Sequence, residues 1–293
     1  MELSVLIVNY NAELHLKNCL HSLYQNTSFR PLEVVVVDNA STDGSVEMLR
    51  RDFPQVEVIA SPENVGFSAA NNQAMRRARG DYFLLLNNDA LVRPGAVDTM
   101  LRIMKARPEV GVVGPLLRNE DGSVQISYGR MISFRAELVQ KFVSGRYEAG
   151  SPFFRRYIER RSHKAAYPDW VSGACFMLQA HVAEEAGYFD DNFFMYTEEV
   201  DFCQRVRALG YHVLYTPEAE VVHLRGKSTD TNRQKAVLEY RRSQLYFYLK
   251  HYGRRKLRLL KLYLLVKTAC GWALKGASQR GLHRKLLQLV WSF

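Results

Sequence analysis

Residues 3–8, 34–37 and 82–86 form nearly unbroken apolar runs, and each stops at polar residues: Asn9, Asp38 and Asn87-Asn88-Asp89. Strands without polar alternation must be covered on both faces, so these runs predict a sheet between helices, with parallel pairing and right-handed crossovers. The intervening segments carry helix patterns, as that topology requires. We read strand 3–8, helix 13–24, strand 32–37, a helix opened by Ser41-Thr42-Asp43, strand 56–60, helix 68–78, strand 82–86, helix 94–105 and strand 110–117. In such α/β sheets ligands bind outside the carboxyl ends of the strands. The polar residues that close the runs fall there.

After residue 117 the pattern loosens. Residues 118–168 are basic and aromatic, including Phe153-Phe154-Arg155-Arg156-Tyr157, and read as loops and helices. Order returns with strand 171–178, helix 181–186, helix 198–209, and short strands at 212–215 and 220–224. Residues 225–233 are polar and contain glycine, the composition of a loop. The expected division is one domain over 1–235, with a nucleotide-binding half to about 117 and a second half from 118, and a separate tail over 236–293.

Charge separates the tail from the body. Of 40 Lys/Arg and 30 Asp/Glu, 27 and 29 lie in residues 1–235, and 13 against one lie in residues 236–293, leaving −2 on the body and +12 on the tail. A cationic tail calls for an anionic partner, and Leu/Trp positions between the charges favour a membrane surface over nucleic acid. The alternative is a basic helical lobe packed on the body or on a second subunit of a homodimer. Lys261, Lys267 and Lys275 interrupt the longest apolar stretch, so no spanning helix is expected. The start has no basic-then-apolar leader, and Cys19, Cys175, Cys203 and Cys270 lack paired metal spacing. Both point to a reducing, cytoplasmic setting.

Several polar groups are candidates for chemistry. Asp38, at a strand end, suits hydrogen bonds from a base or ribose, with turn capping as its plain alternative. Asn64-Val65-Gly66-Phe67 leads into a helix carrying Asn71, where glycine permits close backbone approach. Asp89 is the candidate metal residue, because hard divalent cations take oxygen ligands and leave positions for phosphate; an Asx turn is the alternative. Glu198, Glu199 and Asp201 open a helix after Phe193-Phe194-Met195-Tyr196. They either complement the helix dipole or furnish a desolvated general base. His223 reads as a structural residue or a third metal ligand, with Arg225 and Lys227 beside it to neutralise a diphosphate.

In this order, Val8-Asn9-Tyr10-Asn11, Val37-Asp38-Asn39-Ala40-Ser41-Thr42-Asp43-Gly44, Asn64-Val65-Gly66-Phe67, Leu86-Asn87-Asn88-Asp89, Gly173-Ala174, the segment 194–205 and His223 resemble the family 2 inverting glycosyltransferases of the GT-A fold, particularly the bacterial rhamnosyltransferase-like branch. The resemblance spans about residues 3–252. It implies a Rossmann-like α/β mixed sheet with flanking helices, here with a basic helical extension. By resemblance, Val8, Asn9, Tyr10, Asp38, Asn64, Gly66, Asn71, Asn87, Asn88, Arg225 and Lys227 face a nucleoside-diphosphate sugar. Asp89 and His223 hold Mg²⁺ or Mn²⁺. Glu199 is the base, with Glu198 and Asp201 as alternates. Trp170, Gly173, Ala174 and Tyr196 face a glycan or polyprenyl-diphosphate-linked acceptor. Asn87 replaces the first Asp of the family's metal motif, and Glu199 stands where Asp is usual. The implied role is sugar transfer, with rhamnose a candidate, in bacterial surface polysaccharide synthesis at the inner face of the cytoplasmic membrane. A nucleotidyltransferase would carry a glycine-rich basic loop after the first strand, which is missing here. A non-catalytic carbohydrate-assembly protein would tolerate loss of the acidic cluster, which is intact.

Overall fold

The computed structural model describes residues 1–224, 233–274 and 280–293. The first seven elements follow the expected alternation: β1 (Leu3–Asn9), α1 (Glu13–Asn26), β2 (Leu32–Asp38), α2 (Ser45–Asp52), β3 (Glu57–Ala60), α3 (Phe67–Arg77) and β4 (Tyr82–Leu86). Then come β5 (Ala90–Val92), α4 (Ala96–Ala106), β6 (Val110–Arg118), β7 (Val124–Gln125), β8 (Tyr128–Gly129), α5 (Phe134–Glu148) and α6 (Pro152–Ser162). The remainder is β9 (Trp170–Val171), β10 (Cys175–Gln179), α7 (Ala180–Glu185), α8 (Glu198–Ala208), β11 (His212–His223), α9 (Arg233–Leu274) and α10 (Arg280–Ser292).

The main sheet runs β3-β2-β1-β4-β10-β6-β11-β5, with β7 on the edge of β6. β1 to β4 pair in parallel, and β6 pairs in parallel with β11. Between these groups β10 lies antiparallel to both β4 and β6, so residues 110–117 do not simply extend the parallel set. The four consecutive valines show why the sheet is covered twice: Val35 and Val37 enter one core, Val34 and Val36 the other. Each such burial contributes about 1.5–3 kcal/mol.

Three local expectations are corrected. The helix after β2 starts at Ser45, because Asp43 accepts hydrogen bonds from the N–H groups of Glu13 (3.0 Å) and Ser45 (3.0 Å) and so ties two helix starts together. The two strands expected over 212–224 are one strand, β11, with an irregular register between Thr216 and Glu220. The single strand expected over 171–178 is split into β9 and β10, which belong to different sheets. In addition, the three-residue β5, too short to signal itself, pairs antiparallel with β11.

α9 begins ahead of the expected tail and packs on the body. Leu245, Phe247, Tyr248, Leu257, Leu260 and Leu264 are buried in the same core as Phe176, Phe202 and Val206, and Val290 of α10 joins them. Gly253, at φ 71° and ψ 177°, kinks the helix. Leu259, Leu262, Val266 and Trp291 remain exposed. Among the described residues no helix is long and apolar enough to cross a membrane.

Candidate active site

Strand register builds the first part of the site. β1 and β2 end together, with Asn9 opposite Asp38. The Asn9 amide nitrogen donates to Asp38 Oδ2 at 3.1 Å and Ser41 Oγ at 3.3 Å, and Asn88 donates to Asn9 Oδ1 at 2.9 Å. The Ser41 N–H donates to Asp38 Oδ1 at 2.8 Å, so Asp38 makes the Asx-type turn and is 2% exposed. Tyr10 is 42% exposed beside these strand ends, while Val8 is half-buried.

The next loop is locked to this network. Asn39 donates to Asn64 Oδ1 at 3.0 Å and to the Gly66 carbonyl at 3.2 Å, and the Val65 N–H donates to Asn39 Oδ1 at 2.9 Å. Gly66 has φ 89°, and a Cβ there would lie 2.6 Å from the Phe194 carbonyl oxygen. The close approach that needs glycine is therefore to the segment before α8, and the Phe67 N–H seals it with a 2.7 Å bond to Phe194 O. Asn71 is buried and donates to Phe67 O at 2.9 Å, stabilising the start of α3.

Asp89 follows β4, and the β5–β11 pairing sets His223 opposite Ala90. His223 Nε2 consequently lies 3.1 Å from Asp89 Oδ1 and 3.3 Å from the Asn87 side-chain amide. Gln125, on β7, contacts His223 Nδ1 at 3.1–3.2 Å and fixes the ring. Asn87 Oδ1 is buried without a hydrogen-bond partner. A carboxylate, an imidazole and an unsatisfied amide oxygen are a chemically apt donor set for a divalent cation. No cluster of three His, Cys, Asp or Glu occurs among the described residues. Such a cation would thus depend on ligands brought by a phosphate-bearing substrate. Arg225 and Lys227 lie outside the described residues.

The acidic cluster opens α8. Tyr196 and Thr197 both adopt left-handed backbone, at φ 70° and 64°, an arrangement that non-glycine residues keep only when their surroundings enforce it. Burial raises Glu199 from an ordinary 4.5 to about 7, tempered by backbone hydrogen bonds that include Gly173. Burial, and then the neighbouring Glu199 charge, push Glu198 well above the usual carboxylate range. Thr197 Oγ1, Glu198 Oε2 and Glu199 Oε2 are buried without partners.

Asp201 is different. It is fully buried and accepts from Arg205 Nε at 2.9 Å and His251 Nε2 at 2.6 Å, with Lys250 Nζ at 2.7 Å. Burial alone would raise its pKa, but the His251 hydrogen bond and the Arg205 and Lys250 charges outweigh that and hold it low. Asp201 thus anchors α8 to α9, and its lowered pKa makes it a poor proton acceptor.

Gly173 joins the two parts. A Cβ on Gly173 would sit 3.5 Å from Glu199 Cβ, and the next residue, Ala174, accepts from the Asn87 N–H at 2.9 Å. Trp170 does not line an open wall: its ring packs against Gly129, and its Nε1 donates to Arg130 O at 2.8 Å within the core. Ala174 is likewise buried, whereas Tyr196 is half-buried and meets Tyr240 of α9 edge-on at 6.0 Å.

Reasoning from sequence missed Gln125, Tyr240 and the α9 residues that grip α8. Gln125 has no local signal, since only the β6–β7 pairing brings it to His223. Lys250 and His251 follow the apolar Leu245–Tyr248 stretch, which was the available sign that α9 packs inward.

A mixed sheet with flanking helices and a carboxylate–imidazole pair at its strand ends is the architecture of the GT-A fold. The chain belongs to glycosyl transferase family 2, whose model matches residues 4–202. It is 30% identical over 257 residues to an N-acetylglucosaminyl-diphospho-decaprenol L-rhamnosyltransferase of Mycobacterium tuberculosis, covering 84% of this chain and 83% of that protein. Its fold is similar to that of the mannosyltransferase PcManGT from Pyrobaculum calidifontis, solved with GDP-Man and Mn²⁺, with a TM-score of 0.59 and 17% identity over 99% of this chain and 86% of that one. S. aureus TarS is a further structural relative, with a TM-score of 0.53 and 14% identity over 99% and 81% of the two chains.

Proposed function

We propose that this glycosyltransferase moves a hexose, with rhamnose the leading candidate, from a nucleoside diphosphate to a hydroxyl of a polyprenyl-diphosphate-linked acceptor, with inversion. One observation carries the reading. Glu199, with its raised pKa and a buried oxygen lacking a partner, lies against the Gly173-Ala174 loop that is bonded to Asn87 beside the Asp89–His223 pair. The relative from M. tuberculosis, whose name specifies a diphospho-decaprenol substrate, supports the acceptor class.

Glu199 takes the acceptor hydroxyl proton as the oxygen attacks the anomeric carbon, and the bond to the diphosphate breaks with its electron pair leaving on phosphate oxygen. A single attack inverts the centre. Near neutral pH a base with a pKa of about 7 is half deprotonated and still strong enough to accept the proton. Asp89, His223 and Asn87 would hold Mg²⁺ or Mn²⁺, which supplies charge stabilisation to the leaving diphosphate. Asn9, Asp38, Asn64 and Asn88 hold the strand-end loops that frame the nucleotide, at the cytoplasmic face of the membrane.

The test is sugar transfer to a polyprenyl-diphosphate-linked acceptor, with the product anomer read by NMR and the metal varied. Transfer with inversion that stops in chelator and returns with Mn²⁺ or Mg²⁺ is expected, as is loss of activity in Asp89→Ala at a nearly unchanged melting temperature. Full activity in chelator would remove the metal from the reading, and a retained anomer would remove the single displacement.

A further inference from the structure

We infer that the groove between the start of α5 and the second half of α9 seats the isoprenoid chain of the acceptor, with Arg135 and Lys256 at its edge for the diphosphate; this rests on the lipid-linked acceptor proposed above. The groove has a volume of ≈ 700 Å³, inside the range of about 300–1,000 Å³ typical of ligand sites. Its walls are apolar and aromatic, including Phe134, Tyr252, Leu259, Leu262 and Tyr263.

Tyr252 and Tyr263 pack against the core on one side, but core packing does not account for Phe134, Leu259 and Leu262. α5 contributes no fully buried residue, although Phe134, Leu138, Val139 and Phe142 lie on it at 44–63% exposure. On α9, Leu257, Leu260 and Leu264 are used by the core, while Leu259 and Leu262 form a second apolar stripe at 69% and 60% exposure. Contiguous apolar surface of this kind marks a binding site. Phe134 and Tyr263 meet edge-on at 5.1 Å, closing one side of the groove.

Charge and position select the occupant. Lys256 lies over the Tyr252 ring at 4.5 Å, and both Lys256 and Arg135 edge the groove. Two cations beside an apolar channel complement an apolar chain that carries a diphosphate. α9 also leads from the base to the groove: Ser243 Oγ donates to Met195 O at 2.7 Å, and Tyr240 touches Tyr196. At helical rise, Tyr248 on the groove wall lies about 12 Å along α9 from Tyr240. An acceptor sugar at Glu199 could therefore trail its diphosphate and lipid along α9.

The test compares two acceptors with the same sugar diphosphate, one on a long isoprenoid chain dispersed in detergent micelles and one on a short soluble alkyl chain. Replacing the exposed pair, Leu259→Ser with Leu262→Ser, should raise KM for the isoprenoid acceptor roughly tenfold, the order expected from lost leucine contacts. KM for the short acceptor, donor affinity and melting temperature should not move. A photoreactive isoprenoid diphosphate should label the peptides bearing Phe134 and Tyr263 in the full chain, and unlabelled isoprenoid diphosphate should compete. A loss seen only when the acceptor is embedded in vesicles would assign the face to the bilayer and overturn the groove. So would equal losses for both acceptors, or labelling elsewhere. Wild-type protein that transfers to neither acceptor would instead defeat the functional reading, while the labelling result stands independently.

Discussion

The strand-end side of the site and the start of α8 handle polar groups in opposite ways. Around Asp38 the amides of Asn9, Asn39, Asn64 and Asn88 bond to one another, to carboxylate or to backbone. At the start of α8, Thr197, Glu198 and Glu199 keep buried oxygens without partners on a backbone held in the left-handed region. A buried polar group normally finds a partner, and left-handed non-glycine residues cost of order 1–3 kcal/mol each. One side is rigid before any ligand arrives. The other keeps unpartnered oxygens which, on the function proposed above, await the hydroxyl of an acceptor. Asn87 Oδ1 is an exception on the rigid side, and it stands beside the Asp89–His223 pair.

The most severe way to break this contrast is to neutralise the open side. Glu199→Gln should lower kcat by about 10²–10⁴-fold, the usual contribution of a general base, with donor affinity by calorimetry unchanged. Normal turnover would shift the role to Glu198. Asp201 offers the complementary check on the same helix. Asp201→Asn should destabilise the fold by roughly 3–5 kcal/mol, the cost of breaking a buried ion-pair network, measured by denaturant titration. Lost turnover at undiminished stability would instead make Asp201 part of the chemistry.

Smaller effects should follow on the rigid side. Gln125→Leu frees the His223 ring and should weaken divalent-metal affinity about 10–100-fold, with transfer recovered at high metal concentration. Unchanged metal dependence would separate Gln125 from the cation. The mildest probe is pH. Protonated Glu199 cannot accept a proton, so kcat/KM should rise with pH along a limb centred near 7, and Glu199→Gln should flatten that limb. Because the folded pKa is raised, the stabilising contribution of this group is complete below 4.5 and fades as pH climbs through about 7. Thermal unfolding of Glu199→Gln should lose that slope.

The rigid side was the legible one. Apolar runs ending in Asn9, Asp38 and Asp89 announced strands and their carboxyl ends, because period and termination are local properties of a chain. The long-range pairings carried no such mark. β10 inserts antiparallel between two parallel groups, and β5 has three residues, yet it is β5 that carries His223 to Asp89. The acidic cluster was visible, but the division of labour within it was not. Glu199 and Asp201 are told apart by Gly173 on one side and by Lys250 and His251 on the other, none of them near in sequence. Resemblance alone places Trp170 at the acceptor, whereas its N–H is taken by the Arg130 carbonyl and its ring by the core.

The clasp between Asp201 and His251 has a consequence for the order in which the protein comes into being. The two residues are separated by 50 positions, so a ribosome releases the helix that carries Glu199 well before the segment that holds it in place. Until α9 folds back, Asp201 keeps only Arg205 of its own helix and lacks Lys250 and His251, and the strained turn before α8 lacks Ser243. A nascent chain halted before α9 should therefore hydrolyse no donor, and donor hydrolysis by such ribosome-bound chains would refute this. On that account the enzyme cannot spend activated sugars while it is still being made.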